Sequence, residues 1–231
     1  ILITTKKGEE GKIKVNYSND TQFMTPFVKP KFQNTYGSEE GQFSSWGNKL
    51  ETPSTYDPFD YLQTGFTETN SLSVSTGTDR NQTYISVAAT NARGIIPNNE
   101  YNRYNLTVRN TAELIKDKLT FDFSASYIKS FSQNMMSQGQ YHNPLIPLYL
   151  FPRGDDIEKY KLYERYNPER GFKTQYWEYG VQDLSMQNPF WIMNRERFEN
   201  VKDRYIFSGT LRYRIMDGLN ITGRLRMDNA G

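Results

Sequence analysis

The sequence predicts an all-β chain: an antiparallel, up-and-down part of a transmembrane β-barrel with long extracellular loops. Three observations predict it. Apolar and polar residues alternate with period two through seven segments, which puts them on opposite faces of strands. Each segment runs about ten residues or more, against roughly five or six for a globular strand and about 9–11 for a tilted membrane strand. The connections sort by length, with both very long ones on one side of the sheet and only short ones on the other, as in outer-membrane barrels.

The first strand carries Ile13, Val15, Tyr17, Thr21 and Phe23 on one face, and Lys12, Lys14, Asn16, Ser18 and Asp20 on the other. Leu72, Val74 and Thr76 mark the second, Ile85, Val87 and Ala89 the third, and Tyr104, Leu106 and Val108 the fourth. The fifth has the cleanest alternation, Leu119, Phe121, Phe123, Ala125 and Tyr127. Tyr205, Phe207, Leu211, Tyr213 and Ile215 form the sixth, and Leu219, Ile221, Leu225 and Met227 the seventh. Tight links near Gly77–Asn81, Lys116-Asp117 and Asp217-Gly218 fall on one side, the last with the Asp-Gly signal of a hairpin. Segments of about 25–67 and 131–201 fall on the other, along with a modest loop at Pro97-Asn98-Asn99.

Composition agrees with this class. The 231 residues hold 28 Lys+Arg against 26 Asp+Glu, a balance unlike that of a nucleic-acid binder. Cys is absent and His142 stands alone, which excludes disulfides, thiolate chemistry and a multi-His metal centre. Mean hydropathy is −0.79 although aromatics reach 15%. No run approaches the roughly 18 apolar residues of a membrane helix, whereas barrel strands average to polar. The chain opens inside an apolar run, Ile1–Thr5, without Met or a signal peptide, and closes just after another. We expect a piece of a longer protein.

Energetics fix which face meets lipid. A one-residue slip of the sixth and seventh strands would turn Arg212, Arg214, Arg224 and Arg226 outward. An Arg at the lipid midplane costs roughly 2–4 kcal/mol. Arg204, Arg212, Arg214, Arg224 and Arg226 are therefore expected to face a wet lumen, solvated and paired with carboxylates, or guiding solute.

The long loops are rich in aromatic residues, a composition opposed to disorder. A short helix is expected from an Asp57 cap through Pro58 to a stop at Gly65, and another from Asp155-Asp156 through Tyr163. Trp46, Tyr141, Tyr149, Tyr176, Trp177 and Trp191 are the loop candidates for contact with a substrate or partner, while packing of the loops on one another is the other use of such rings. His142 has no sequence-near partners for catalysis, Asp155-Asp156 lacks the spaced ligands of a calcium loop, and no phosphate-cradling Gly motif occurs. The chain presents no acid–base or nucleophile constellation, so no enzyme, metal or cofactor is expected. A soluble sandwich gives no reason for strands this long or loops this one-sided.

The residues also resemble a family. Ile1–Gly8 is similar to the last plug strand of SusC/RagA-type TonB-dependent outer-membrane transporters, followed directly by a first barrel strand at 12–23. Further similar stretches are Phe59–Gly65, Asn70–Ser75, Tyr84–Val87 running on to Gly94–Asn98, Asn143–Leu145, Leu148–Gly154 and Gln187–Trp191. Their order spans essentially the whole chain. The resemblance implies residues 1–9 as the end of a plug domain and 10–231 as the first seven strands of a barrel of about 22. It also implies import of oligosaccharides, glycans or peptides across the outer membrane of a Gram-negative cell, with a SusD-like surface lipoprotein and the TonB complex as partners. A family barrel reused as a structural or assembly scaffold is the alternative. The TonB box and most of the plug and barrel are expected outside these residues.

Overall fold

The structure, a computed structural model, describes residues 8–39, 41–43, 46–137, 139–179 and 186–231. Residues 1–7 of the expected plug strand lie outside them; Gly8 and Glu9 form no strand. Gly8 lies so close to the backbone of Gln82 and Thr83 that a Cβ would meet it at 2.6–2.8 Å.

Seven long strands form one sheet: β1 (Gly11–Met24), β2 (Gly65–Gly77), β3 (Asn81–Arg93), β4 (Glu100–Ile115), β5 (Leu119–Gln133), β8 (Glu199–Met216) and β9 (Leu219–Ala230). A small hairpin, β6 (Glu164–Asn167) and β7 (Phe172–Gln175), stands apart from it. Every neighbouring pair in the large sheet is antiparallel, in the order β1-β2-β3-β4-β5-β8-β9. This is a meander, as the period-two pattern predicts.

The register aligns the two faces across all seven strands. One row reads Val15, Val74, Ile85, Val108, Ala125, Phe207 and Met227. The next row of the same face reads Tyr17, Leu72, Val87, Leu106, Tyr127, Tyr205 and Asn229. Most of these side chains are exposed although they are apolar, so the sheet has a broad unpacked hydrophobic face. Toward the long-loop end the band becomes polar. The Tyr17 hydroxyl donates to Asn70 at 2.6 Å, Asn91 donates to the Tyr104 hydroxyl at 3.3 Å, and the Tyr127 hydroxyl donates to Asp203. Apolar rows bordered by tyrosines reproduce the banding of a barrel's outer wall.

The opposite face is largely polar, with Ile128 and Ile206 among its few apolar members. Lys14, Ser75, Tyr84, Arg109, Ser124, Ser208 and Arg226 share one row. On it Arg109 pairs with Asp122 at 2.8 Å, and the Thr111 hydroxyl donates to the same carboxylate oxygen at 2.7 Å.

Turn chemistry closes the short side. Thr78 Oγ1 accepts from the Asn81 amide at 3.1 Å in the β2–β3 turn. Gly218 takes φ +81° in the β8–β9 turn, where any side chain would be strained. The long connections cover 25–64 and 134–198, a few residues narrower than expected because β2, β5 and β8 extend further.

The hydrophobic core lies in those connections and not beneath the sheet. Leu148, Phe151, Ile157, Tyr160, Trp177, Tyr179, Phe190 and Met193 are buried together with Ile96 of the β3–β4 loop. Several local expectations are corrected here. The helix capped by Asp57 is a single 3₁₀ turn, Pro58–Tyr61; it ends at Leu62, and Gly65 instead opens β2. The second is also 3₁₀, Ile157–Lys161, capped by Asp156 alone, and stops before Tyr163. Pairing with the neighbouring loop replaces helix extension in both: Gln63 N–H donates to Ile95 C=O, and Tyr176 N–H donates to Tyr163 C=O. The short helices α1 (Leu145–Leu150) and α2 (Pro189–Arg195), and the β6–β7 hairpin, are not among the expected elements.

Candidate functional site

Two features stand out: a folded layer of loops at one end of the sheet, and the row of arginines on its polar face. The loop layer is built around a few buried polar side chains. Asn188 is fully buried. Its side-chain oxygen accepts from the amides of Phe190 and Trp191, capping α2, and Pro189 occupies the first helical position, where no amide is needed. Its Nδ2 donates to the carbonyls of Tyr160 at 2.9 Å and Tyr176 at 2.8 Å. One residue thus ties α2, the second 3₁₀ turn and the end of the hairpin together.

Arg153 does the same for the two long loops. It is buried, and its guanidinium donates to the carbonyls of Phe151, Tyr149 and Gln33. The rings of Phe32 and Tyr56 lie 5.1 and 4.8 Å from it, so the charge is held by carbonyl dipoles and ring faces. Burial lowers its pKa, a shift opposed by Tyr56 and Asp57. Tyr56 donates to the Leu148 carbonyl at 2.6 Å, and burial pushes its phenol well above the usual value.

A second polar cluster closes the core. The Tyr179 hydroxyl donates to Asp155 and that of Tyr176 to Glu178, the Tyr160 hydroxyl donates to Glu178 at 2.9 Å with Asp155 3.2 Å away, and Lys159 pairs with Asp155 at 2.8 Å. Burial raises the Asp155 pKa, but the bonds from Lys159 and Tyr179 outweigh it and hold the carboxyl below its usual range. The tyrosines are pushed up, chiefly by burial for Tyr160 and Tyr179. These groups are mutually satisfied. Among the described residues no group of three or more His, Cys, Asp or Glu could hold a metal ion.

The six ring candidates fall in different places. Trp177 is 6% exposed, wedged among Phe43, Phe151, Tyr160 and Tyr179, so packing accounts for it and it does not face solvent. Tyr149 packs on Phe32 and Phe59, and Tyr176 lies between Tyr160 and the Arg165 guanidinium. Trp191 is half-buried on α2. Trp46 remains open, 73% exposed beside Tyr36, and Tyr141 is exposed with its ring edge on His142. His142 Nδ1 lies 2.6 Å from a Glu196 carboxylate oxygen, a partner 54 residues away that no sequence-near reading could supply. The five arginines share the polar face: Arg204, Arg212 and Arg214 on β8, Arg224 and Arg226 on β9.

Sequence reasoning missed Asn188 and Arg153 as architectural residues. For Asn188 a signal exists, since Asn before Pro is an N-cap followed by a favoured first helical residue. For Arg153 none exists locally, because its carbonyl partner on Gln33 is 120 residues away.

The comparisons add relatives to this geometry. No family model matches the chain. Over 200 residues it is 22% identical to the TonB-dependent receptor SusC of Bacteroides thetaiotaomicron, covering 82% of this chain and 20% of that protein. Its fold matches the RagAB peptide importer in the "closed-closed" state with a TM-score of 0.62, over 98% of this chain and 29% of that chain, at 15% identity. The chain is thus similar to SusC in sequence and to the RagAB importer in fold. Its seven-stranded meander therefore shares its fold with part of the RagAB importer, and the loop layer lies at one end of the sheet. The chain spans about a fifth of the length of the curated relative it matches.

Proposed function

We propose that this chain is the first barrel segment of a TonB-dependent importer in the outer membrane of a Gram-negative cell. The apolar face with its tyrosine border meets lipid, the arginine face lines the lumen, and the loop layer lies outside the cell. Residues 1–9 end the plug, and 10–231 begin the barrel. The observation that carries this reading is the one-sided loop layer: an aromatic core has been built at one end of an otherwise unpacked amphipathic wall.

In this reading the whole protein takes up an oligosaccharide, glycan or peptide, closed over by a SusD-like lipoprotein and driven by the TonB complex. Similarity to SusC and to a peptide importer supports it. Trp46 and Tyr141 are the open rings available to substrate or lid. Catalysis has no part in the scheme, since SusC is a receptor and RagAB an importer.

The test is purification of the full-length native protein in mild detergent, with identification of what accompanies it and an uptake assay in cells. A protein of roughly 100 kDa with a surface lipoprotein, and TonB-dependent uptake of a labelled glycan or peptide, is the expected result. A barrel accompanied by assembly or secretion proteins and inactive in uptake would establish the scaffold role instead.

A further inference from the structure

The charged residues of the polar face are mostly paired. Arg204 pairs with Asp228 at 2.6 Å, Arg214 with Asp217, and Arg109 with Asp122 at 2.8 Å. Arg212 and Arg224 differ: among the described residues no carboxylate lies within ion-pair distance of either. Arg224 Nε donates only to the Thr210 hydroxyl, at 3.2 Å.

The register brings the two together. Thr210 lies opposite Arg224 on one side and Asp122 on the other, and Arg212, two residues along the same strand, lies opposite Thr120. Both guanidiniums and both threonines line one concave patch with Arg109 and Asp122. The patch holds three arginines and one aspartate, and Asp122 is engaged by Arg109, so two positive charges are left uncompensated. Two guanidiniums lining one patch repel each other, and an anion between them is favoured. A guanidinium fork matches a carboxylate in plane and spacing, and a threonine hydroxyl can donate to a further lone pair.

We propose that Arg212 and Arg224, with the Thr120 and Thr210 hydroxyls, form a carboxylate-binding subsite on the inner wall. The carboxylate comes either from an acidic side chain elsewhere in the same full-length chain or from an acidic solute. The subsite rests on the barrel reading only for the statement that this face is interior.

The experiment uses the full-length protein in detergent, as wild type, as Arg212→Gln/Arg224→Gln and as the charge-keeping Arg212→Lys/Arg224→Lys. Succinate is titrated calorimetrically at low and high salt, and thermal unfolding is followed in parallel. If a solute fills the subsite, wild type binds succinate, the Gln variant binds at least tenfold more weakly, the Lys variant falls between, and salt weakens binding. If the chain's own carboxylate fills it, wild type ignores succinate, its Tm falls with added salt, and the Gln variant has a lower Tm that no longer responds to salt. Both results support the subsite and tell the sources apart. Equal succinate binding in wild type and Gln variant, or no binding with identical salt-dependent Tm, overturns it. A Phe207→Cys variant labelled by a lipid-phase reagent checks the facing separately, so an inverted wall is distinguished from a subsite that binds nothing.

Discussion

Asn188 shows how much one side chain can hold in place. Its amide satisfies two helix N–H groups and two buried carbonyls from separate segments. Asn188→Ala leaves these unpaired, each worth roughly 1–3 kcal/mol when buried. We expect the loop layer to lose at least about 2 kcal/mol, read as faster amide exchange in α2 and around Tyr160 with the sheet unchanged. Arg153 is a parallel case with a charge. Arg153→Lys keeps the charge but cannot reach three carbonyls or present a planar face to Phe32 and Tyr56. Protease cleavage within 25–64 should therefore rise several-fold in Arg153→Lys, while thermal unfolding of the barrel changes little. Unchanged cleavage would show that the guanidinium is not what joins the two loops.

At the scale of elements, one carboxylate adds a charged clasp between the β6–β7 hairpin and α2. Glu164 accepts from Arg195 at 2.6 and 2.8 Å and pairs with Lys173 at 2.8 Å. Those bonds, Arg195 first and then Lys173, hold the carboxyl at about 2, below its usual 4.5. A depressed folded-state value means that the unfolded hairpin takes up its proton first as pH falls. The clasp is thus fully stabilising above about 4.5 and is lost as pH falls toward about 2. Amide exchange in 164–175 should rise through that window, and Glu164→Gln should remove the dependence. The strands obey a different constraint. Phe207 lies in the apolar row and Ser208 in the polar one. Phe207→Arg should destabilise the barrel of the full-length protein by roughly 2–4 kcal/mol in lipid, and Ser208→Arg by far less. Reversible unfolding into urea from lipid vesicles measures both; equal costs would mean that the faces are assigned wrongly.

For the whole molecule, the division of labour is unusual for a chain of this size. Buried apolar residues concentrate in the loop layer, while the sheet keeps one hydrophobic and one polar face open. Such a sheet is not stable as a free wall in water; it needs lipid on one side and closure of its two edge strands, β1 and β9, on the other. In the importer proposed above, further strands of a barrel of about 22 would close it. The full-length protein should accordingly show the heat-modifiable migration of a closed barrel, and deleting β1 should abolish it.

Local chemistry by itself determined the wall. Alternation with period two sets the strands and their faces, because each side chain is placed by the backbone pleat alone, and Gly and Asp at 217–218 set the hairpin. The order of long and short connections was legible for the same reason, since it follows from where the strands are. Only the tertiary structure decided what the loops do. Their order rests on contacts between residues far apart in the chain, Arg153 with Gln33, Tyr61 with Glu158, His142 with Glu196, and no local pattern encodes a partner at that distance. That is why Trp177, an equal of Trp46 in the sequence, is core while Trp46 is surface, and why Arg212 and Arg224 become neighbours only when β8 and β9 find their register.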